Sequence, residues 1–284
     1  MSPHIVGFLA IIMFLVLMLL RMPIAISLAL SGLAGFAYLN GVNAALRLIA
    51  SDFYNTFASY TLSVVAMFVL MGFLAFYAGL GKRLYGVAYK AIGHIPGGLA
   101  MSSVLACVVF GAVCGSNPAT TATIGSIALP EMKKYNYMDT LATGSIAAAG
   151  AIGAMIPPSV IFIIYGTSTS ESVSRLFIAG IVPGVLLGLF YIITIYILVK
   201  RNPSLAPIQQ NVKSQAEEIE TGGLIEVAIV FVISLGGLFT GFFTPTEAGA
   251  VGALGILIVT LVRRQINWGG ISLALRATTR TTAM

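Results

Sequence analysis

The sequence contains little charge and few of the side chains that perform most enzymatic chemistry. Its 284 residues include 9 acidic side chains, 2 histidines, 2 cysteines and 1 tryptophan, and charged residues make up 8% of the chain. A soluble domain carries about a quarter charged residues, so this composition excludes an ordinary soluble fold. His4 and His94 have no partner at metal-ligand spacing, which argues against a metal centre. We therefore predict that the protein is not an enzyme and holds no cofactor.

Three further absences narrow the function. Cys107 and Cys114 lie seven residues apart in one apolar stretch, where packing is favoured over a metal or redox role. The segment Gly79-Leu80-Gly81-Lys82 lacks the remaining residues of a phosphate-binding loop. The basic residues flank apolar runs and are not interleaved with aromatic residues, so nucleic acid is not an expected partner.

Long apolar segments dominate the sequence. Hydrophobic residues make up 58% of the chain, and the mean hydropathy is +0.99. These values predict an all-α polytopic membrane protein. Spans are expected at 5–20, 23–40, 61–80, 176–199, 223–241 and 245–262. The first run is followed by Arg21-Met22-Pro23 in place of a small-residue cleavage site, so we expect a retained helix.

Residues 99–130 form an apolar segment with positive charge at both ends. Lys90 and His94 precede it, Lys133 and Lys134 follow it, and Gly115-Ser116-Asn117-Pro118 interrupts it. Under the positive-inside rule both ends are cytoplasmic, which predicts a re-entrant hairpin whose tip stops inside the membrane. Alternation then places thirteen of the fifteen Lys and Arg residues inside and the N-terminus on the periplasmic side. A mid-helix kink at this break is the alternative.

The hairpin tip is the first candidate binding site. Asn117 and Pro118 fit the N-cap and first position of the second arm, so opposite helix ends meet at the tip. Carbonyl oxygens at Gly115, with Ser116 and Asn117, suit a cation such as Na⁺. The helix N-terminus, with Asn117, Pro118 and Thr120, suits the carboxylate of a substrate.

A second break interrupts residues 139–169. Two consecutive prolines, Pro157 and Pro158, cannot continue a regular helix. We predict a split helix whose first half ends near Gly153 and whose second half begins at Pro158. The exposed carbonyls would complete the cation site at three residues: Ala154, Met155 and Ile156. Pro158 and Ser159 would face the substrate. A double-proline bend between two short helices is the alternative.

Two other patterns indicate structure. Thr244, Pro245 and Glu247 fit the N-cap, N1 and N3 positions of a capping box, with a proton or ion role for Glu247 as the alternative. Three glycines recur every four residues in the span at 176–199 and predict close helix packing: Gly180, Gly184 and Gly188.

The polar segment 201–222 divides the chain into unequal parts. Residues 1–200 would form a first transporter repeat, with scaffold helices at 5–80, the hairpin at 99–130, the split helix at 139–169 and a helix at 176–199. Residues 223–284 would begin a second, inverted repeat, because Ala274-Leu275-Arg276 echoes Ala45-Leu46-Arg47. Nothing after Arg276 supplies a second hairpin, so this repeat is expected to be incomplete.

Four segments carry a resemblance to a known family: 114–137, 148–166, 176–184 and 237–251. In them the chain resembles the large membrane subunit of TRAP (tripartite ATP-independent periplasmic) transporters. The resemblance implies a bacterial inner-membrane, Na⁺-coupled elevator with a small membrane subunit. It also implies import of an organic anion delivered by a periplasmic binding protein. It assigns site roles to Ser116, Asn117 and the break at 156–159.

Two other functions stay open at this stage. One is a self-contained carboxylate/Na⁺ symporter, which would need a second hairpin. The other is a truncated membrane remnant that does not transport.

Overall fold

The computed structural model describes residues 2–58, 60–207 and 223–282, and all regular elements in these ranges are helical. The α-helices are α1 (Pro3–Leu19), α2 (Ile24–Asn40), α3 (Val42–Phe57), α4 (Ser63–Tyr77), α5 (Leu80–Ile92), α6 (Gly98–Cys114), α7 (Asn117–Lys134), α8 (Asp139–Gly150), α9 (Val160–Thr169), α10 (Val173–Arg201), α11 (Leu224–Phe239), α12 (Pro245–Val262) and α13 (Trp268–Thr282). Short 3₁₀ turns lie at Tyr60–Leu62, Ala151–Ala154 and Pro203–Leu205. The all-α prediction is confirmed.

Several helices have the composition of membrane spans. Within the described residues, α10 and α12 are long and apolar enough to cross a membrane by themselves, and α4 with α5 forms a third such stretch if the bent pair is one span. Five shorter apolar helices accompany them: α1, α2, α6, α9 and α11. Five helices begin and end within a few residues of spans expected from the sequence: α1, α2, α10, α11 and α12. Apolar length and terminal Pro or Gly residues define the expected spans and also the observed helices.

The predicted span at 61–80 differs from the structure at its end. Helix α4 stops at Tyr77, and the chain bends by 70° into α5, a helix that the apolar pattern did not predict. Gly79 makes the turn in the left-handed region, with φ of 77°. Helix α5 is amphipathic, and its buried face, which includes Tyr85 and Tyr89, packs on the hairpin helices α6 and α7. Its polar face carries charged residues, so the sequence of α5 contains no long apolar run.

The structure divides into two compact units, Met1–Tyr60 and Thr61–Met284. In the first, α1 packs on α2 and α2 packs on α3. Gly35 brings α2 close to α1, because a Cβ there would lie 3.5 Å from the Cβ of Ala10. Helix α3 is amphipathic and contains Ala45-Leu46-Arg47.

The second unit has two apolar cores. One surrounds the hairpin and contains Phe110, Ile124 and Ile152. Cys107 and Cys114 are buried as free thiols, the environment expected of packing residues. The other core lies where α4 packs on α12 and α13. The linker is described only as far as residue 207, so most of the segment 201–222 lies outside the described residues. The division into inverted repeats stays a prediction.

The capping box and the glycine row are confirmed. The Thr244 N–H donates to Glu247 Oε2 at 2.8 Å, and the Glu247 N–H donates to Thr244 Oγ1 at 3.3 Å. Each of the three glycines of α10 packs against the broken helix or the hairpin: Gly180 near Phe162, Gly184 near Ile156, and Gly188 near Val108. A side chain at any of the three positions would push these elements apart.

Candidate functional site

The segment at 98–134 is a helical hairpin with a two-residue tip. Helices α6 and α7 have 17 and 18 residues, which gives each arm about 26 Å, and they pack on each other. Gly115 turns the chain with φ of 63°. The Thr120 N–H donates to Ser116 O at 3.0 Å, so Ser116 is the N-cap. Asn117 and Pro118 therefore each lie one position further into α7 than the sequence suggested.

The second break is also present. Helix α8 ends at Gly150 and continues as a 3₁₀ turn to Ala154, and α9 begins at Val160. The predicted start at Pro158 is therefore two residues early. Ser159 is extended and its hydroxyl accepts from the Phe162 N–H at 3.4 Å, so Ser159 is the N-cap. The Pro157–Pro158 peptide bond is cis.

The tip and the break contact each other through the backbone. The Val160 N–H donates to Gly115 O at 3.5 Å, and a Cβ on Gly115 would collide with Pro158 O. One turn lower, a Cβ on Gly111 would lie 2.7 Å from the Cα of Gly153. The two discontinuous elements therefore meet as the sequence predicted. Gly111 was missed, although small residues in an apolar membrane helix permit close backbone approach.

Several of the predicted cation ligands already have partners. Ala154 O accepts from the Ser159 hydroxyl at 2.5 Å, and Gly115 O accepts from Val160 N–H. Met155 O lies against Gly180, and Ile156 packs on Gly184. A carbonyl oxygen has two lone pairs, so one such bond leaves capacity for a cation.

Two oxygens at the tip are buried without a hydrogen-bond partner among the described residues: Asn117 Oδ1 and Thr120 Oγ1. Both face Gly153. A Cβ built there would lie 2.9 Å from Thr120 Oγ1, 3.4 Å from Asn117 Oδ1 and 3.4 Å from Ser116 O. The neighbouring hydroxyl of Thr121 instead donates to Asn117 O at 2.8 Å. Buried oxygens without a partner are rare, and a bound water or ion is one of the explanations for them.

The structure separates the residues predicted to bind substrate. Pro118 is exposed at the tip, Asn117 is half-buried, and Pro158, Ser159 and Thr120 are buried. Thr120 therefore groups with the oxygens that face Gly153 rather than with an open surface. Among the described residues no cluster of His, Cys, Asp and Glu could hold a metal. The oxygens that converge at the tip belong to an amide, a hydroxyl and a backbone carbonyl, and all are uncharged.

A cavity of about 480 Å³ lies elsewhere, between α8 and α10. Its polar lining includes Thr140, Ser145 and Thr194. None of the residues predicted to bind ion or substrate lines it, so it is separate from the tip.

An apolar all-helical chain in which a hairpin tip meets a broken helix has the architecture of a membrane transport protein. Residues 11–284 match the family described as the tripartite ATP-independent periplasmic transporter, DctM component, and the chain belongs to this family. The resemblance found in the sequence is thereby confirmed, and the family is one of transporter permease components, not of enzymes.

Similar curated proteins carry different substrate names. The C4-dicarboxylate TRAP transporter large permease protein DctM of Pseudomonas aeruginosa is 40% identical over 218 residues, which cover 76% of this chain and 50% of that protein. The 2,3-diketo-L-gulonate large permease protein YiaN of Escherichia coli K12 is 35% identical, covering 93% and 61%. The isethionate permease protein DctMQ of Oleidesulfovibrio alaskensis is 34% identical, covering 90% and 40%. The chain spans about half the length of these relatives.

Proposed function

We propose that this chain is the membrane-embedded part of a Na⁺-coupled importer for a small organic anion. The names of the relatives include two carboxylates and one sulfonate, which supports an anionic substrate without choosing the acid. The tripartite family supports two partners, a small membrane subunit and a periplasmic solute-binding protein, and the relative named DctMQ supports the first. We further propose the bacterial inner membrane as the location and elevator-type movement of the hairpin as the mechanism.

The pair of orphan oxygens at the hairpin tip carries the proposal. Asn117 Oδ1 and Thr120 Oγ1 are buried without partners among the described residues, and Ser116 O faces the same point. Uncharged hard oxygens suit a monovalent alkali cation, whose hydration shell they can replace. A divalent cation would call for carboxylates, and no acidic cluster exists in the described part of the chain. Na⁺ is therefore the cation that best matches this set.

The substrate anion would bind beside the cation. The N-termini of α7 and α9 both lie where the hairpin tip contacts the helix break. Helix N-termini favour negative charge. A bound Na⁺ would add to this attraction, which couples the binding of ion and anion. Asn117 and Pro118 at the tip and Pro158 and Ser159 at the break remain the proposed substrate residues.

The cation site is tested by the effect of Na⁺ on thermal stability. The purified chain should unfold at higher temperature in NaCl than in equal choline chloride, because a ligand that binds the folded state stabilises it. Thr120→Val removes the orphan hydroxyl at constant shape. We expect it to weaken the apparent Na⁺ affinity by about 5- to 150-fold, the loss of one ligand worth roughly 1–3 kcal/mol.

Thr121→Val is the matched control, because its hydroxyl donates to a backbone carbonyl within α7. Gly153→Ala is a second probe, since its methyl group would lie 2.9 Å from Thr120 Oγ1 and occupy the site. Equal Na⁺ responses in all four proteins, or no response in the parent, would remove the basis for Na⁺ coupling.

The proposed topology has its own test. With both hairpin ends cytoplasmic and the N-terminus periplasmic, single cysteines at Lys90 and Lys134 should react from the same side of the membrane in inverted vesicles. A cysteine at His4 should react from the opposite side. Labelling of Lys90 and Lys134 from different sides would show that the segment crosses the membrane once.

A further inference from the structure

Helix α5 carries a row of positive charge along the hairpin. Lys82 and Lys90 are exposed and Arg83 is half-buried, whereas the opposite face of the helix packs on α6 and α7. The ion pair recorded in the described residues joins Arg263 to Glu226, far from this row in sequence. None of the three cations of α5 therefore has a carboxylate within ion-pair distance in the described part of the chain.

The first two of these cations lie well above the open end of the hairpin. A Cβ on Gly81 would lie 3.7 Å from the ring of Phe110 in α6. Phe110 is twelve residues from Gly98, where α6 begins, so this level is about 18 Å along the arm. Lys82 and Arg83 follow Gly81 directly. Lys90, in the last turn of α5, lies near the open end because the chain enters α6 shortly afterwards.

Two structural explanations do not account for Lys82 and Arg83. Both lie in the first turn of α5, where the helix dipole disfavours cations, so helix stability does not select them. Charges that orient a membrane protein lie at the ends of apolar segments. That explains Lys90 and Lys134 at the open end of the hairpin. It also predicted Lys82 and Arg83 at the cytoplasmic end of a span at 61–80, whereas the structure places these two beside the upper part of the hairpin arm. In the proposed topology the open end of the hairpin lies at the cytoplasmic surface, so Lys82 and Arg83 lie within the membrane. Ionised side chains there face water-filled cavities and mark ion or substrate pathways.

We propose that Lys82 and Arg83 line a hydrated path along the hairpin and bind the negative group of the transported anion in passing. This inference rests on the proposed transport function and adds a second point of substrate contact below the tip. Arginine presents a planar fork that matches carboxylate or sulfonate oxygens, and lysine adds a mobile point charge. Lys90 extends the positive potential towards the open end, where it attracts anions from solution.

Val87 provides a reporter position within the row. It is 40% exposed and lies four residues after Arg83 and three before Lys90, hence on the same helical face. We would place Val87→Cys in a chain carrying Cys107→Ala and Cys114→Ala, and reconstitute it in lipid nanodiscs. The rates of reaction with an anionic and a cationic methanethiosulfonate reagent of similar size are then compared in KCl.

The reporter should react with both reagents, and faster with the anionic one. Lys82→Gln with Arg83→Gln should lower the anionic-to-cationic rate ratio by about 3- to 10-fold, the effect of removing two screened charges within a Debye length. The matched control is Lys200→Gln with Arg201→Gln, an exposed basic pair at the end of α10, which should leave the ratio unchanged. Succinate and isethionate should slow the anionic reagent in the parent more than in the neutralised variant.

Three results would overturn the proposal. In the first, the cysteine at position 87 reacts with neither reagent, and quenchers attached to lipids reach a fluorophore at the same position. That result would show that this face of α5 contacts lipid. The second is an unchanged rate ratio after neutralisation. The third is an equal change in the control pair. Lys82→Gln and Arg83→Gln made singly keep the test valid if the double variant is unstable. Because the assay contains no Na⁺, its outcome is independent of the Thr120→Val result.

Discussion

Two helices of this chain begin with the same kinds of residue but differ in the hydrogen bonding of the polar side chains in their first turns. Helix α7 follows Ser116 and helix α12 follows Thr244, each a hydroxyl residue in the N-cap position with a proline in the first turn. In α12 the cap residue and Glu247 bond to each other reciprocally. In α7 the Ser116 side chain makes no capping bond, and Asn117 Oδ1 has no hydrogen-bond partner in the described part of the chain.

The difference follows from what each helix start contacts. The first turn of α12 is exposed where its capping bonds form, so its own side chains must satisfy its N–H groups. The first turn of α7 lies against a second break in the chain, and its oxygens converge on a glycine. A fully satisfied cap serves stability. A buried helix start whose oxygens lack hydrogen-bond partners has capacity to bind a ligand.

The largest effect is expected where the two breaks approach most closely. Gly111→Val places a side chain 2.7 Å from the Cα of Gly153, and backbone atoms cannot move aside as a flexible side chain can. We expect a loss at or above the upper end of the ~1–3 kcal/mol typical of overpacking, measured as a fall in unfolding free energy in mixed micelles. Gly144→Val is the control, because a Cβ at Gly144 meets no atom of the described residues within 4 Å. Similar losses in both would show that the contact is loose.

The next prediction sharpens the functional side of the comparison. If the tip binds Na⁺, Ser116→Ala should weaken the Na⁺ dependence of stability by about 5-fold or more, whereas Ser204→Ala should not. Ser204 lies in the short turn after α10, where its hydroxyl donates to Asn202 Oδ1 at 2.6 Å. The measurement is a Na⁺ titration followed by thermal unfolding. Equal Na⁺ dependence in the two variants would count against a role for the Ser116 side chain.

A smaller effect is expected at the satisfied cap. Thr244→Ala removes the acceptor of the Glu247 N–H, and loss of such a cap costs about 0.5–2 kcal/mol. The variant should lose stability equally in Na⁺ and in choline, because no ligand is involved. A loss of stability seen only in Na⁺ solutions would indicate that the ion binds at the start of α12 and not at the hairpin tip.

The smallest effect is expected for Glu247→Gln. The amide oxygen still accepts from the Thr244 N–H, so only the interaction of the charge with the helix dipole is lost, about 0.3–1 kcal/mol. Ion-dependent stabilisation should be unchanged, and unfolding in detergent with and without Na⁺ checks both points. If Glu247→Gln stayed fully folded but lost its Na⁺ response, a proton or ion role for Glu247 would have to replace the capping role.

The sequence predicted the helices that are defined by local chemistry. The capping box at Thr244 needs residues three apart, and the breaks at Gly115 and Pro157-Pro158 follow from backbone restrictions on glycine and proline. Helix α5 escaped prediction because an amphipathic helix that packs on a hairpin has no apolar run. The N-caps of α7 and α9 shifted by one or two positions, since a cap is fixed by bonds such as Thr120 N–H to Ser116 O and not by residue type alone.

By itself, the sequence determined that this protein is an all-helical membrane chain of the DctM family, with a hairpin and a broken helix, because apolar length and backbone restrictions act locally. Only the tertiary structure decided which oxygens remain available at their meeting point. Thr120 and Thr121 have the same chemistry and adjacent positions. The Thr121 hydroxyl bonds within its own helix, whereas the Thr120 hydroxyl faces Gly153 without a partner among the residues that the structure describes. That distinction depends on how the broken helix packs on α7, and no local pattern contains it.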